Sequence, residues 1–90
     1  MGDTLATQIH RIGRRAQARG WNAAVNDRGQ YDLTKGCLLV SITYGPSTGI
    51  VHDAVARVLD DNGDAVSRET IARADDTDKT RKVLDYITNA

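Results

Sequence analysis

The 90-residue sequence is poor in several residue types that mark whole classes of protein. Its single cysteine cannot form a disulfide within the chain. No apolar run approaches the roughly 18 residues that a membrane-spanning helix needs. The first residues lack the apolar segment and the cleavage site of a secretory signal. Together these absences predict a cytoplasmic protein that does not enter a membrane.

Large apolar side chains are also scarce. Phenylalanine is absent, and leucine, isoleucine and valine together supply 19 of the 90 residues, just above the fraction typical of disordered chains. We therefore expect one folded domain, spanning residues 1–90, with a lean core. A domain of this size buries only about two thirds of its unfolded surface, so a deep substrate pocket would take up much of that core.

Net charge is zero, because 12 basic residues balance 12 acidic ones. The balance hides an asymmetry, since residues 1–35 carry six bases and three acids whereas residues 36–90 carry six bases and nine acids. A basic patch in the first part could face a polyanion, or the two parts could face each other. The chain uses arginine in preference to lysine and aspartate in preference to glutamate. In this it resembles small proteins from actinobacterial phages. The resemblance implies a phage or actinobacterial source and assigns no functional residue.

The first periodic segment predicts a helix over residues 4–19. Its apolar positions recur on one stripe, namely at Leu5, Ile9, Ile12 and Ala16. Asp3 or Thr4 could cap the start of this helix, and Gly20 could end it. Gly13 weakens the helix interior and would allow a neighbour to approach the backbone closely.

After Gly20 the period changes from 3.6 to 2, which predicts strands. Three of them follow in the sequence, at residues 21–26, 31–34 and 37–44. The intervening turns are predicted at residues 27–30 and at Lys35-Gly36. One face of the third strand carries Leu38, Val40, Ile42 and Tyr44, and the other carries Cys37, Leu39, Ser41 and Thr43.

Residues 50–59 fit two structures. Their apolar positions match a helix face, whereas a strand leaves Asp53 and Arg57 on the same face as Val51. The following Asn62-Gly63 pair is a strong hairpin signal, with residues 65–72 available as the return strand. This context favours a strand at residues 50–59.

The C-terminal segment again has helical periodicity, with acids before it and Asp76 or Thr77 as the predicted cap. Its buried stripe is predicted to hold Val83, Leu84 and Ile87. The predicted fold class is therefore α+β: an N-terminal helix, an antiparallel β-meander of four or five strands and a C-terminal helix, with both helices packed on one sheet face. The other sheet face, which is partly apolar, must meet water or another chain.

Five arginines form the candidate nucleic-acid site, because guanidinium groups match phosphate oxygens. They are Arg11, Arg14, Arg15, Arg19 and Arg28. The alternative is a solvated helix face whose arginines pair with the acidic part of the chain. This alternative is favoured, because no nucleic-acid recognition motif accompanies the arginines.

Other candidate sites are weaker. Asp60, Asn62 and Glu69 match three ligand positions of a calcium-binding EF-hand loop, but Val58 stands where the first carboxylate is required. His52 and Cys37 are the candidate catalytic groups, yet no partner is evident for either, and Cys37 is expected in the core. We therefore predict no catalytic residue, no cofactor and no metal site.

These observations favour a non-enzymatic interaction or regulatory module that acts through protein–protein recognition. Its partner could be a second copy of the chain in a homodimer, because the lean core leaves one sheet face uncovered and the meander has two open edges. The alternatives are a nucleic-acid-binding accessory protein, which would use the basic helix face, and, last, a small enzyme.

Overall fold

Two helices flank a run of five strands, as the periodicity predicts. The computed structural model describes residues 7–90. Its elements are α1 (Gln8–Ala18), β1 (Asn22–Val25), β2 (Tyr31–Lys35), β3 (Leu38–Tyr44), β4 (Val51–Leu59), β5 (Ala65–Ala72) and α2 (Lys79–Asn89). The strands form one antiparallel sheet in the order β1-β2-β3-β4-β5. Because α1 packs on β1 and β2, α2 packs on β4 and β5, and the helices contact each other, the α+β prediction is confirmed.

A β-bulge explains why β4 has helix-like spacing in the sequence. Tyr44 of β3 pairs with Val51, whereas Thr43 pairs with Asp53, so His52 is an extra residue without a partner. An extra residue shifts the alternation of side chains between the two faces. Val51 and Ala54 therefore both lie buried under the helices, and the strand prediction for this segment is confirmed.

The N-terminal helix begins at Gln8, later than predicted. Thr7 is its N-cap, and the Thr7 hydroxyl accepts a hydrogen bond from the His10 amide at 3.4 Å. The predicted caps, Asp3 and Thr4, lie outside the described residues. Thr7 supplies the side-chain oxygen that a helix start requires.

The β3–β4 loop holds the start of α1 in place. The Ile9 amide donates to the Gly49 carbonyl at 3.1 Å, and the Gln8 side chain accepts from the Val51 amide at 2.9 Å. Gly49 has a φ of +69°, and a Cβ there would overlap the Thr7 side chain. Only glycine satisfies both the backbone angle and this close approach.

The other end of α1 closes as predicted at Gly20, which has a φ of +88°. The Trp21 amide donates to the Ala16 carbonyl at 2.9 Å, and the Gly20 amide donates to Gln17 at 3.2 Å. These two bonds define a Schellman motif. The motif turns the Trp21 side chain back into the core, where it is only 3% exposed.

The turn between β2 and β3 lies one residue later than predicted. Lys35 pairs with Leu38, so the two loop residues are Gly36 and Cys37. Cys37 is consequently exposed rather than buried, and its predicted place in the core is wrong. The predicted faces of β3 are unaffected, because side chains alternate from Leu38 onward wherever the turn closes.

The C-terminal helix is capped differently from the prediction. Its N-cap is Asp78, which has a φ of 51° and no side-chain cap bond, so neither Asp76 nor Thr77 caps it. The Asp76 carboxylate instead accepts from the Arg73 amide at 2.8 Å and pairs with the Lys82 ammonium at 3.0 Å. Asp76 therefore connects the segment that follows β5 to the first turn of α2.

The core lies between the helices and the sheet. Its buried members are mostly aliphatic, and they are Ile9, Ile12, Ala16, Trp21, Leu33, Val40, Ile42, Val51, Ala54, Ala56, Ala72, Val83 and Ile87. Val25, which alternation would place on the same face as Trp21, is 58% exposed at the sheet edge. Neither helix that the structure describes is both long and apolar enough to span a bilayer.

Candidate functional site

Two of the five candidate arginines bind the end of α2. Arg15 Nη1 donates to the Thr88 hydroxyl at 3.0 Å, and Arg19 Nη2 donates to the Thr88 carbonyl at 3.1 Å. Trp21 Nε1 donates to the Ile87 carbonyl at 3.1 Å. Cations and donors are stabilising at the negative end of a helix. Arg15 and Arg19 therefore join the two helices.

The side chains of the other three candidates form no hydrogen bond to α2 within residues 7–90. Arg11 and Arg14 line, together with Arg15, a shallow groove of about 290 Å³ beside Leu84, whereas Arg28 lies in the β1–β2 turn. Within residues 7–90 the one ion pair closer than 4 Å joins Lys82 to Asp76, so in this part of the chain the arginines do not pair with acids. The nucleic-acid hypothesis stays a prediction that depends mainly on Arg11 and Arg14.

The candidate catalytic groups lie far from one another. Cys37 precedes β3, and His52 lies in the bulge opposite the other end of that strand. A strand of seven residues spans on the order of 20 Å. Across the described part of the chain, no three His, Cys, Asp or Glu side chains are grouped to hold a metal ion.

A polar network covers part of the sheet face that carries no helix. The Asp32 carboxylate accepts from the Ser41 hydroxyl at 2.8 Å and from the Asn26 amide at 3.1 Å. Beside it, Gln30 donates to the Thr43 hydroxyl at 3.1 Å. Since these side chains satisfy one another, this part of the face can stay in water without a partner.

Two arginines stand directly opposite each other on the same uncovered face. Arg57 of β4 pairs with Arg68 of β5, and like charges in this arrangement are destabilising. No acid forms an ion pair with either one within residues 7–90. Nothing in the sequence of either strand indicates this pair, because it forms only in the register in which β4 pairs with β5.

The hydrogen-bonding pattern of β4 shows which of its backbone groups bond to β3 and which bond to β5. The Leu59 amide donates to the Cys37 carbonyl at 2.8 Å, so Leu59 bonds toward β3. Hydrogen-bonded positions alternate along an antiparallel strand. Ala56 and Val58 therefore direct their backbone groups toward β5.

The partners of those residues on β5 are Glu69 and Ser67, which thus bond inward to β4. The alternating residues, Arg68 and Thr70, direct their N–H and C=O groups away from the sheet. Because β5 is an edge strand, these groups face solvent. All residues from Ala65 to Thr70 are exposed.

A groove of about 660 Å³ runs beside this edge, between β5 and α2. Apolar and charged side chains line it, among them Leu38, Glu69, Ile71, Lys82, Asp85 and Tyr86. Burial, together with the nearby Glu69 carboxylate, raises the pKa of the Tyr86 hydroxyl. Since the Lys82 ammonium is engaged by Asp76, the Glu69 and Asp85 carboxylates give the groove a negative character.

Comparison with protein-family models, with curated proteins and with solved structures finds no match for this chain. The resemblance to phage proteins therefore stays a prediction. The strongest structural candidate for function is the edge of β5 with its adjoining groove, which we call the β5–α2 site. Sequence periodicity predicts β5 itself, but no local signal shows that α2 lies beside it.

Proposed function

We propose that this chain is a non-enzymatic recognition module that binds a protein partner at the β5–α2 site. The observation that carries the proposal is the open edge of β5, where Arg68 and Thr70 present backbone donors and acceptors to solvent. Proteins bind extended segments by adding them as strands to such edges. The groove beside the edge would supply side-chain selectivity.

The opposite edge is a poorer candidate. Strand β1 has four residues, whereas β5 has eight, so β1 offers fewer backbone groups to a partner. Both edges expose a valine, with Val66 of β5 64% exposed and Val25 of β1 58% exposed.

A binding role is also consistent with the positions of Cys37 and His52. These two candidate catalytic groups lie at opposite ends of β3 and so cannot act on one substrate atom together.

A second copy of the chain is the simplest partner, but few registers suit it. Two β5 strands related by a two-fold axis place a residue opposite itself at the centre of the pair. Centring on Arg68 opposes two arginines, and centring on Glu69 opposes two glutamates, both of which are unfavourable. Centring on Ser67 avoids this conflict, because the residue at the centre carries no charge.

Selection from a displayed library of random peptides tests the proposal. We expect an enriched family of peptides that binds the protein and loses at least about tenfold in affinity to Thr70→Pro, because proline removes an outward amide without breaking the bonds to β4. The matched control is Val25→Pro, which blocks the other edge. No enriched family, or equal loss in both variants, would refute the proposal.

Sedimentation equilibrium tests the second copy as the partner. Self-association through β5 predicts a dimer in the parent protein and in Val25→Pro but a monomer in Thr70→Pro. If the parent protein stays monomeric at high concentration, a second copy of the chain is excluded as the partner, and the proposed partner is a different protein.

Nucleic-acid binding is the second candidate function, because Arg11 and Arg14 are exposed and have no ion-pair partner within residues 7–90. Titration with duplex and single-stranded DNA at several salt concentrations tests it. Two phosphate contacts predict a log–log salt slope of about −2 for duplex DNA, and Arg11→Gln with Arg14→Gln should abolish it. Affinity that does not change with salt would exclude this function.

A further inference from the structure

We infer that the partner of the β5–α2 site is an extended segment with the order apolar, any residue, basic, acidic. This inference rests on the proposed function and names the chemistry that the site selects. Each position follows from a different residue of β5 and its neighbours.

The backbone pattern fixes which partner residue approaches Glu69 most closely. An added antiparallel strand bonds to the outward groups of Arg68 and Thr70, so the residue opposite Glu69 occupies a non-hydrogen-bonded pair. In such pairs the Cα atoms are only about 4.5 Å apart and the side chains lie closest. The partner side chain at this position therefore enters the groove beside Glu69.

The charge of the groove selects a basic residue there. Glu69 and Asp85 line the groove, and neither forms an ion pair within residues 7–90. The lysine that lines the same groove, Lys82, pairs with Asp76 at 3.0 Å. A lysine or arginine opposite Glu69 would supply the missing positive charge.

The next partner side chain on the groove face lies two residues away, beside Ile71, which is an extra residue of β5 without a partner on β4. Ile71 and Tyr86 are partly buried against the core and also line the groove. An apolar partner residue covers more of their surface and removes it from water, which is favourable. This position therefore selects an apolar side chain.

The uncovered face of the sheet selects the acidic residue. The partner residue opposite Arg68 points to the face where Arg57 and Arg68 oppose each other. A carboxylate there pairs with Arg68 and reduces the repulsion between the two arginines. Antiparallel addition then sets the order from N- to C-terminus as apolar, any, basic, acidic.

The test uses an eight-residue peptide with the central sequence Ile-Thr-Lys-Glu and a control peptide with Ile-Thr-Glu-Glu at the same place. Each peptide is titrated into isotope-labelled protein to about 1 mM, which detects dissociation constants up to the millimolar range. In NMR spectra of the labelled protein, we expect the first peptide to cause saturable chemical-shift changes at residues of β5 and α2. The control peptide should bind about tenfold more weakly. Absence of saturable shifts with the first peptide overturns the inference.

Charge reversal on the protein isolates the contact with Glu69. Glu69→Lys should reverse the preference, so that the control peptide binds better, and Glu69→Gln should weaken the preference, because Asp85 still lines the groove. An unchanged preference in Glu69→Lys overturns the inference.

Binding unchanged by Thr70→Pro would refute the proposed function as well, because the edge would then play no part. If library peptides require the edge but carry no basic residue opposite Glu69, the proposed function stands and the inference about the partner fails.

Discussion

Replacement of Gly13 by alanine tests how tightly α1 packs on the sheet. Alanine is favoured over glycine inside a helix by about 1 kcal/mol. A Cβ at Gly13, however, would overlap the Tyr31 hydroxyl and lie 3.3 Å from its Cζ. The Tyr31 ring is held edge-on against Tyr44, with 6.3 Å between centroids. Since overpacking costs about 1–3 kcal/mol, we expect Gly13→Ala to lower the free energy of unfolding by about 1 kcal/mol.

The double variant with Tyr31→Phe separates packing from helix propensity. Without the hydroxyl oxygen the overlap is relieved, so Gly13→Ala should become neutral or stabilising in the Tyr31→Phe background. The coupling between the two changes should be at least about 1 kcal/mol. Urea unfolding of the four proteins, followed by circular dichroism, measures it. Equal stabilisation by Gly13→Ala in both backgrounds would refute the packing described here.

Three further predictions concern other contacts. Trp21→Phe removes the hydrogen bond to the Ile87 carbonyl and should cost about 1–3 kcal/mol in urea unfolding; no loss would contradict a role for this bond. The hydrogen bond from the Arg73 amide lowers the pKa of Asp76 below its ordinary 3.8, so its stabilisation is present above about pH 4 and lost as the pH falls through the folded-state pKa. The Asp76→Asn variant should therefore be less stable than the parent at neutral pH and equal to it at strongly acid pH. Free energies of unfolding that differ by the same amount at every pH would contradict this prediction. Cys37 is exposed and should react with a thiol reagent in native buffer. Reaction only after unfolding would show that the thiol is buried in the folded protein.

The order of elements was predictable because it depends on local periodicity. The change of period after Gly20 and the Asn62-Gly63 hairpin signal are properties of neighbouring residues, and both are confirmed. The position of His52 in a bulge was not predictable, since the alternation of β4 is interrupted only when the strand pairs with β3. The same bulge places both Val51 and Ala54 in the core.

The candidate site was far less predictable than the fold. The sequence places Arg15 and Arg19 on an exposed basic face of α1. Their hydrogen-bond partner, Thr88, is more than sixty residues away in the sequence. The opposition of Arg57 and Arg68 likewise depends on strand register. Spacing along one element cannot reveal contacts that two distant elements create when they pack.

Amide hydrogen exchange along β5 in dilute protein tests the open edge most directly. The pairing with β4 predicts slow exchange at Ser67 and Glu69, whose amides are bonded, and fast exchange at Arg68 and Thr70, whose amides face solvent. Equal protection at all four positions would contradict an open edge and, with it, the β5–α2 site.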